Sequence, residues 1–266
     1  MLICIPVFND IRIIDLVDFI GSSVVEDRIK NIKLLICDDA SNPPITCSDF
    51  NVENDLIKII THKKNLGLPA ARNTLLEGSI GHNVFFLDSD DCLTKEFLNW
   101  LSFIDNNIGP NEVFYHPAEL IGDRKGHWGN VGPAFRYWAF LTNRICYSIF
   151  FKNSGRFKYD ENLRSGFEDW AFNLELILNG FEFKMGKKGF RYRVSSTGML
   201  QSQSLDDYLS ITYSLLHLRV SCFLRVFGIV DHGIVRYCVG RLIRCWDYIY
   251  YGARIKFRML YRQQKR

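Results

Sequence analysis

The stretch VFFLDSDDCL, Val84 to Leu93, sets Asp88, Asp90 and Asp91 directly behind a run of apolar residues. Val84 to Leu87 reads as a buried strand, and carboxylates do not enter a core unpaired. A hard divalent cation such as Mg2+ or Mn2+ takes oxygen ligands and completes its shell with water and phosphate oxygens. On that reading the aspartates await a metal carrying a diphosphate. The plainer alternative makes Asp91 a helix cap and leaves the other two solvated.

Outward from this stretch, short apolar runs alternate with helical spacing. LICIPV (2–7), IKLLIC (32–37), LIKIIT (56–61) and NVFFLD (83–88) read as strands. Helices are predicted over 12–24, 68–80 and 94–104. In the first of them Ile13, Leu16, Val17 and Ile20 share one side. This alternation predicts an α/β fold, a mostly parallel sheet with helices on both faces. In such sheets ligands bind beyond the carboxyl ends of the strands. Polar residues gather there: Asn9 and Asp10, Asp38 and Asp39, Lys63 to Gly67, and Asp88 to Asp91. A further helix is expected from about Glu168 to Leu178, stopped by Gly180.

The motifs IPVFND (5–10), ICDDAS (36–41), NLGLPAARN (65–73), FLDSDD (86–91) and GFEDWAF (166–172) occur in that order. Together they resemble the glycosyltransferase family 2 group of GT-A fold enzymes, over about residues 2–200. The resemblance implies that Pro6, Phe8, Asn9, Asp38 and Asp39 hold the nucleobase and ribose. Arg72 would meet the ribose or diphosphate. Asp88 and Asp90 match the family's D-x-D, with Asp90 as direct ligand of Mn2+ or Mg2+. Asp169 would be the catalytic base, Glu168 its neighbour and Trp170 a wall for the acceptor sugar. A carboxylate pair at a helix start also suits the helix dipole, so the pair alone decides nothing. The stretch RYRVSSTGM (191–199) has Ser195 where some relatives place a histidine that reaches the metal. His116 and His127 are polar candidates in the unassigned acceptor region, 105–150.

The charge is uneven. Of 33 Lys+Arg and 29 Asp+Glu, the segment from His217 onward holds 11 and 2, leaving 22 and 27 for the rest. On a helical wheel, Val235, Val239, Leu242, Trp246, Ile249, Ala253, Phe257 and Leu260 gather on one side. Arg236, Arg241, Arg244, Arg254, Arg258 and Arg262 lie opposite. That pattern suits a helix lying on an anionic membrane surface, or one packed on the catalytic domain with solvated arginines. Nucleic acid is not expected as a partner, since the crevice is acidic.

No run of 18 apolar residues predicts a membrane-spanning helix, and the N-terminus lacks the basic start of a signal peptide. The eight cysteines form no C-x-x-C pair and mostly sit in apolar stretches, as small buried hydrophobes in a reducing compartment. The expected organisation is a catalytic domain over 1–200, split near 105 into nucleotide-binding and acceptor-binding halves, and a basic helical segment over 201–266.

The expected activity is inverting, metal-dependent transfer of a hexosyl or N-acetylhexosaminyl group. The donor would be a nucleotide sugar, UDP-linked. The acceptor would be a hydroxyl of a glycan, lipid-linked, in bacterial surface polysaccharide synthesis (O-antigen or capsule). The protein would sit peripherally on the cytoplasmic face of the inner membrane. The alternatives are a nucleotidyltransferase, which would want a Gly-rich, Lys-containing loop that PVFNDIRI lacks, and a degenerate scaffold.

Overall fold

The computed structural model describes residues 1–266 except 28, 30, 54, 130–138, 144, 146, 196–203 and 264–266, and the side chains of 254–263. Strands β1 (Leu2–Val7), β2 (Lys33–Asp38), β3 (Ile57–Thr61) and β4 (Asn83–Phe86) fall where the apolar runs predict them. They form a parallel run in the order β3-β2-β1-β4, with Leu2 opposite Lys33 on one side and Val84 on the other. Strand order reverses at β1, which opens a crevice at its carboxyl end.

Three strands from the irregular middle extend this sheet to seven. β9 (Ile149–Lys152) runs antiparallel between β4 and β6 (Glu112–Tyr115), and β10 (Glu182–Met185) lies parallel to β6. A second sheet has the order β5-β11-β7-β8, from β5 (Cys92–Leu93), β7 (Ala118–Gly122), β8 (Gly126–Trp128) and β11 (Phe190–Val194). It begins at the DSDD turn, because β5 pairs with β11 immediately after Asp91.

Helix α1 (Arg12–Glu26) buries Ile13, Leu16, Val17 and Ile20, the side its spacing predicts. α2 (Leu68–Gly78) starts after Gly67, whose φ of 93° is a left-handed conformation that glycine tolerates. α3 (Lys95–Asp105) is capped by Thr94, which accepts from the Phe97 N–H, so Asp91 is free of that duty. α4 (Glu168–Leu178) ends as predicted, with Gly180 at φ 83° just past it.

His116 is not an acceptor contact. It is fully buried against the rings of Phe85, Phe97 and Trp100, and burial pushes its pKa down to about 3. It is a neutral core residue. His127 lies exposed on β8.

The chain closes with α5 (Leu205–Ser214), α6 (Leu216–Val226) and the long α7 (Gly233–Gln263). The buried stripe of α7 is Val239, Gly240, Ile243, Asp247 and Tyr251. It lies roughly 100° around the helix from the expected apolar side, with only Val239 in common. Leu242 and Ile249 are accordingly 70% and 67% exposed. The packed face follows partner shape and one buried ion pair, neither of which a wheel registers. Arg254, Phe257, Arg258, Leu260 and Arg262, placed on the wheel above, have side chains outside those described. Cys4, Cys37 and Cys222 are buried as expected, whereas Cys238 and Cys245 lie exposed on α7. Among the described residues, no helix is long and apolar enough to cross a membrane.

Candidate active site

Asp38 and Asp39 leave β2 and turn inward. The Asp38 carboxylate accepts from the backbone N–H groups of Ser41 (2.8 Å) and Ile45 (3.0 Å). Asp39 accepts from the N–H groups of Leu66 and Gly67, each at 2.8 Å, and contacts His62 Nδ1 at 2.7 Å. Both carboxylates are buried and hold the loop geometry. Three donors thus brace the Asp39 carboxylate, two on Oδ1 and one on Oδ2, which leaves Oδ2 able to accept one more. The His62 ring continues to Thr74 Oγ1 at 2.8 Å and so ties this loop to α2.

Pro6 is buried inside β1 opposite Cys37, and does not itself emerge into the crevice. The chain surfaces at Phe8, which is 48% exposed, and at Asn9, held at φ 49°. Asn9 donates its N–H to Ser41 Oγ and accepts from the Asn42 N–H. These bonds stitch the end of β1 to the turn after β2, leaving the Phe8 ring on the surface.

Arg72 is the largest departure from expectation. It is 1% exposed, with its guanidinium inside the protein. Nη1 donates to Glu168 Oε1 at 2.6 Å, and Nη2 to Asp88 Oδ1 at 2.9 Å. Its plane lies 4.7 Å from the Tyr147 ring centre and 5.5 Å from that of Tyr159. The contact with ribose or diphosphate is thus replaced by an internal bridge between two carboxylates. Asn73 supports it by bonding the backbone of Tyr159 through both its amide atoms.

The DSDD turn divides its three aspartates. Asp91 is buried, accepting from the Tyr147 hydroxyl and, at 2.6 Å, from the Arg193 N–H. The Tyr147 oxygen in turn accepts from the Asp88 N–H at 2.7 Å. Burial, then Asp88 and Asp90, hold the Asp91 carboxyl well above the usual range. Asp88 is the counterion of Arg72, its pKa raised by burial in spite of that cation.

Asp90 differs from both. Its carboxylate accepts no side-chain hydrogen bond among the described residues, and the nearest cation is Arg12 Nη2 at 3.7 Å. Burial and the neighbouring Asp88 push its pKa up to about 6. Arg12 is mainly engaged with Asp10, at 2.7 Å, and Asp10 accepts from Ser89. An oxygen donor under like-charge pressure and short of a partner fits a hard cation. No three His, Cys, Asp or Glu side chains among the described residues form a ready ligand set, so Asp90 and Asp88 would hold a metal together with substrate oxygens.

The second carboxylate pair opens α4. Gly166 and Phe167 have φ of 119° and 65°, and this left-handed turn aims Glu168 and Asp169 back toward β4. Glu168 is buried on Arg72. Asp169 is half-buried, and its Oδ1 accepts from Asn143 Nδ2 at 3.0 Å and the Trp170 N–H at 2.7 Å. Burial raises its pKa, against the pull of Arg72 and of the Asn143 bond. Oδ2 has no partner among the described residues. Trp170 is only 2% exposed, its indole N–H bonded to the Ala139 carbonyl at 2.6 Å. It is a brace behind the site and not a wall for a sugar.

Residues 2–164 match the family described as Glycosyl transferase family 2. The chain belongs to glycosyltransferase family 2. An uncharacterized glycosyltransferase of Rickettsia felis is 34% identical over 178 residues, which is 62% of this chain and 28% of that protein. The Escherichia coli UDP-Glc:alpha-D-GlcNAc-diphosphoundecaprenol beta-1,3-glucosyltransferase WfgD is 37% identical over 136 residues. That match spans 50% of this chain and 49% of WfgD, so the chain covers less than half of either curated relative. Among solved structures, S. aureus TarS 1-349 in complex with UDP-GlcNAc superposes with a TM-score of 0.61 at 15% identity. The overlap covers 94% of this chain and 72% of the TarS 1-349 chain, and the shared fold is the GT-A fold.

Within this glycosyltransferase family 2 chain, the D-x-D and E-D motifs meet through Arg72. The residues that complete the site had no local signal. Tyr147, Asn143 and Arg193 come from segments 56, 26 and 103 residues away in sequence from the groups they bind.

Proposed function

We propose that this protein is an inverting, metal-dependent glycosyltransferase that moves a sugar from a UDP-linked donor to a hydroxyl of a lipid-linked glycan. The observation that carries this reading is Asp169, a half-buried carboxylate with one oxygen lacking a partner among the described residues, set across Arg72 from the D-x-D. WfgD takes UDP-Glc and a GlcNAc-diphosphoundecaprenol by its name, and TarS is seen with UDP-GlcNAc, which supports the donor and acceptor classes. Bacterial surface polysaccharide synthesis is the setting that follows.

In this mechanism Asp169 Oδ2 accepts the proton of the acceptor hydroxyl as that oxygen attacks the anomeric carbon. The bond from that carbon to the diphosphate breaks, UDP leaves, and attack from the opposite face inverts the centre. Arg72 favours the ionised forms of Glu168 and Asp88 against their burial and holds both in place. Asp90 and Asp88 would hold Mn2+ or Mg2+, which when bound would neutralise charge on a diphosphate. Phe8, exposed at the end of β1, offers a face for a uracil ring.

Calorimetry tests the donor site. UDP is expected to bind at least tenfold more tightly with Mn2+ than with chelator, and Asp90→Asn to abolish the difference with the fold intact. Equal affinity in both conditions would overturn the metal bridge. Absence of any sugar transfer from UDP-glucose or UDP-GlcNAc to a GlcNAc-diphospholipid would overturn the substrate classes.

The outer face of α7 belongs to the same reading. Exposed Leu242, Trp246 and Ile249 beside exposed Arg241 and Arg244 suit the boundary of an anionic bilayer, on the cytoplasmic side where nucleotide sugars are made. Full-length protein is expected to pellet with phosphatidylglycerol vesicles at low salt, and less so after Leu242→Glu with Ile249→Glu. Failure of the unaltered protein to pellet would rule this attachment out.

A further inference from the structure

We infer that the carboxyl-terminal helix α7 is a working part of the active site, because Asp247 and Tyr251 on its inner face position Asp169. The inference rests on the reading of Asp169 as the base. Asp247 and Arg219 are 2% and 0% exposed and form a bidentate pair, with oxygens 2.6 and 2.7 Å from the two terminal nitrogens. The rest of the Arg219 guanidinium reaches the carbonyls of Phe140 (2.7 Å), Leu141 (3.4 Å) and Thr212 (3.4 Å).

Those contacts converge on one place. The strap that supplies the Phe140 and Leu141 carbonyls starts at Ala139, which accepts the Trp170 indole N–H. It continues to Asn143, which donates to Asp169 Oδ1. The guanidinium also lies over the Trp170 ring, 4.7 Å from its centre. Arg219 therefore fixes the strap that bonds Asp169 and the residue beside it, and Asp247 fixes Arg219.

A second contact holds the turn itself. Phe167 is a bulky residue in the left-handed region, a conformation that persists only where the surroundings impose it. Its ring is packed by Tyr208 at 5.7 Å and Tyr251 at 6.2 Å, and those two rings stack on each other at 5.2 Å. Tyr251 is one turn beyond Asp247 on the same stripe of α7. Helix packing alone does not call for a buried ion pair, since apolar side chains of similar volume serve stability as well or better. A fixed guanidinium serves geometry: it pins carbonyls from two segments at once.

Arg219 and Asp247 act through other groups, so they are positioning residues. The test pairs two variants: Arg219→Met with Asp247→Leu, which removes the pair without stranding a charge, and Tyr251→Leu, which involves none. Sugar transfer from a UDP-sugar to a GlcNAc-diphospholipid is measured with UDP affinity in Mn2+ and the pH dependence of kcat. In each variant that folds, kcat is expected to fall at least tenfold with UDP affinity within twofold. The acid limb of the pH profile should move to higher pH, since a loosened Asn143 bond no longer favours the ionised base. Asn143→Ala should move it the same way. An unchanged kcat and acid limb in the folded variants would overturn the inference. Asp169→Asn, run in parallel, separates the two failures: wild-type turnover there would remove the base itself, whereas loss there beside unaffected α7 variants would remove only the positioning role.

Discussion

Asp169→Asn is expected to lower turnover by about a hundredfold or more, the scale of a lost general base, with UDP and Mn2+ binding within about twofold. The amide keeps the acceptor for Asn143 and the Trp170 N–H but has no basic oxygen to take the hydroxyl proton. Separation of kcat from donor affinity follows from position, because the donor groups lie on the far side of Arg72. In the unaltered enzyme turnover should fall as the pH drops through the base's raised pKa, since only the ionised form accepts a proton. Single-turnover transfer at saturating donor measures this directly. Retention of more than a tenth of wild-type turnover would remove Asp169 from the role, and Glu168, held at 2.6 Å by Arg72, is badly placed to substitute.

Arg72→Leu should be the most destabilising single change near the site. It removes the cation from two buried carboxylates, which costs about 3–5 kcal/mol, or roughly 6–20 °C in melting temperature for a chain of this size. The sign of the pH dependence is set by those acids. Burial already raises the pKa of Asp88 and Glu168 with the guanidinium present, and its loss raises them further. An acid whose folded pKa lies above its unfolded value destabilises the fold above that pKa and less below it. The deficit against wild type should therefore shrink between pH 7 and pH 5. Melting curves at the two pH values decide it, and a deficit that grows on acidification would contradict the bridge. Arg72→Lys should recover part of the loss, since one ammonium cannot meet both carboxylates with the same geometry.

Much of the architecture was legible because it is local. Apolar runs of buried strands, the 3.6-residue spacing of α1 and the glycine after α4 each declare themselves within a dozen residues. The motifs at the strand ends were legible as a group, and all of them do lie at the carboxyl edge of the sheet or at the start of α4. What each carboxylate does was not. Asp39 reads like Asp90 in sequence, yet one is held by Leu66, Gly67 and His62 while the other has no side-chain hydrogen bond among the described residues. Burial of Arg72 and Trp170 likewise depends on Tyr147 and Ala139, whose approach is a matter of tertiary packing. The tail shows the same limit. Its wheel sets an apolar side apart from a basic one, but the stripe that packs includes Asp247, an acidic residue that any hydropathy pattern places outside.

The bridge at Arg72 also bears on the order in which the chain assembles. Its two counterions are 16 and 96 residues away in sequence. Closing the longer loop costs about 1.6 kcal/mol more entropy than closing the shorter one. Arg72 and Asp88 can therefore pair as β1, α2 and β4 come together, before residues near 168 arrive. During that interval the guanidinium has one of its two carboxylate partners, and the early sheet exposes the edge of β4 that β9 later covers. Arrival of Glu168 gives the second terminal nitrogen of Arg72 its carboxylate. A nascent chain released from its ribosome near residue 164 would have the fold's sheet in outline and, at its centre, a guanidinium with one terminal nitrogen still lacking its carboxylate.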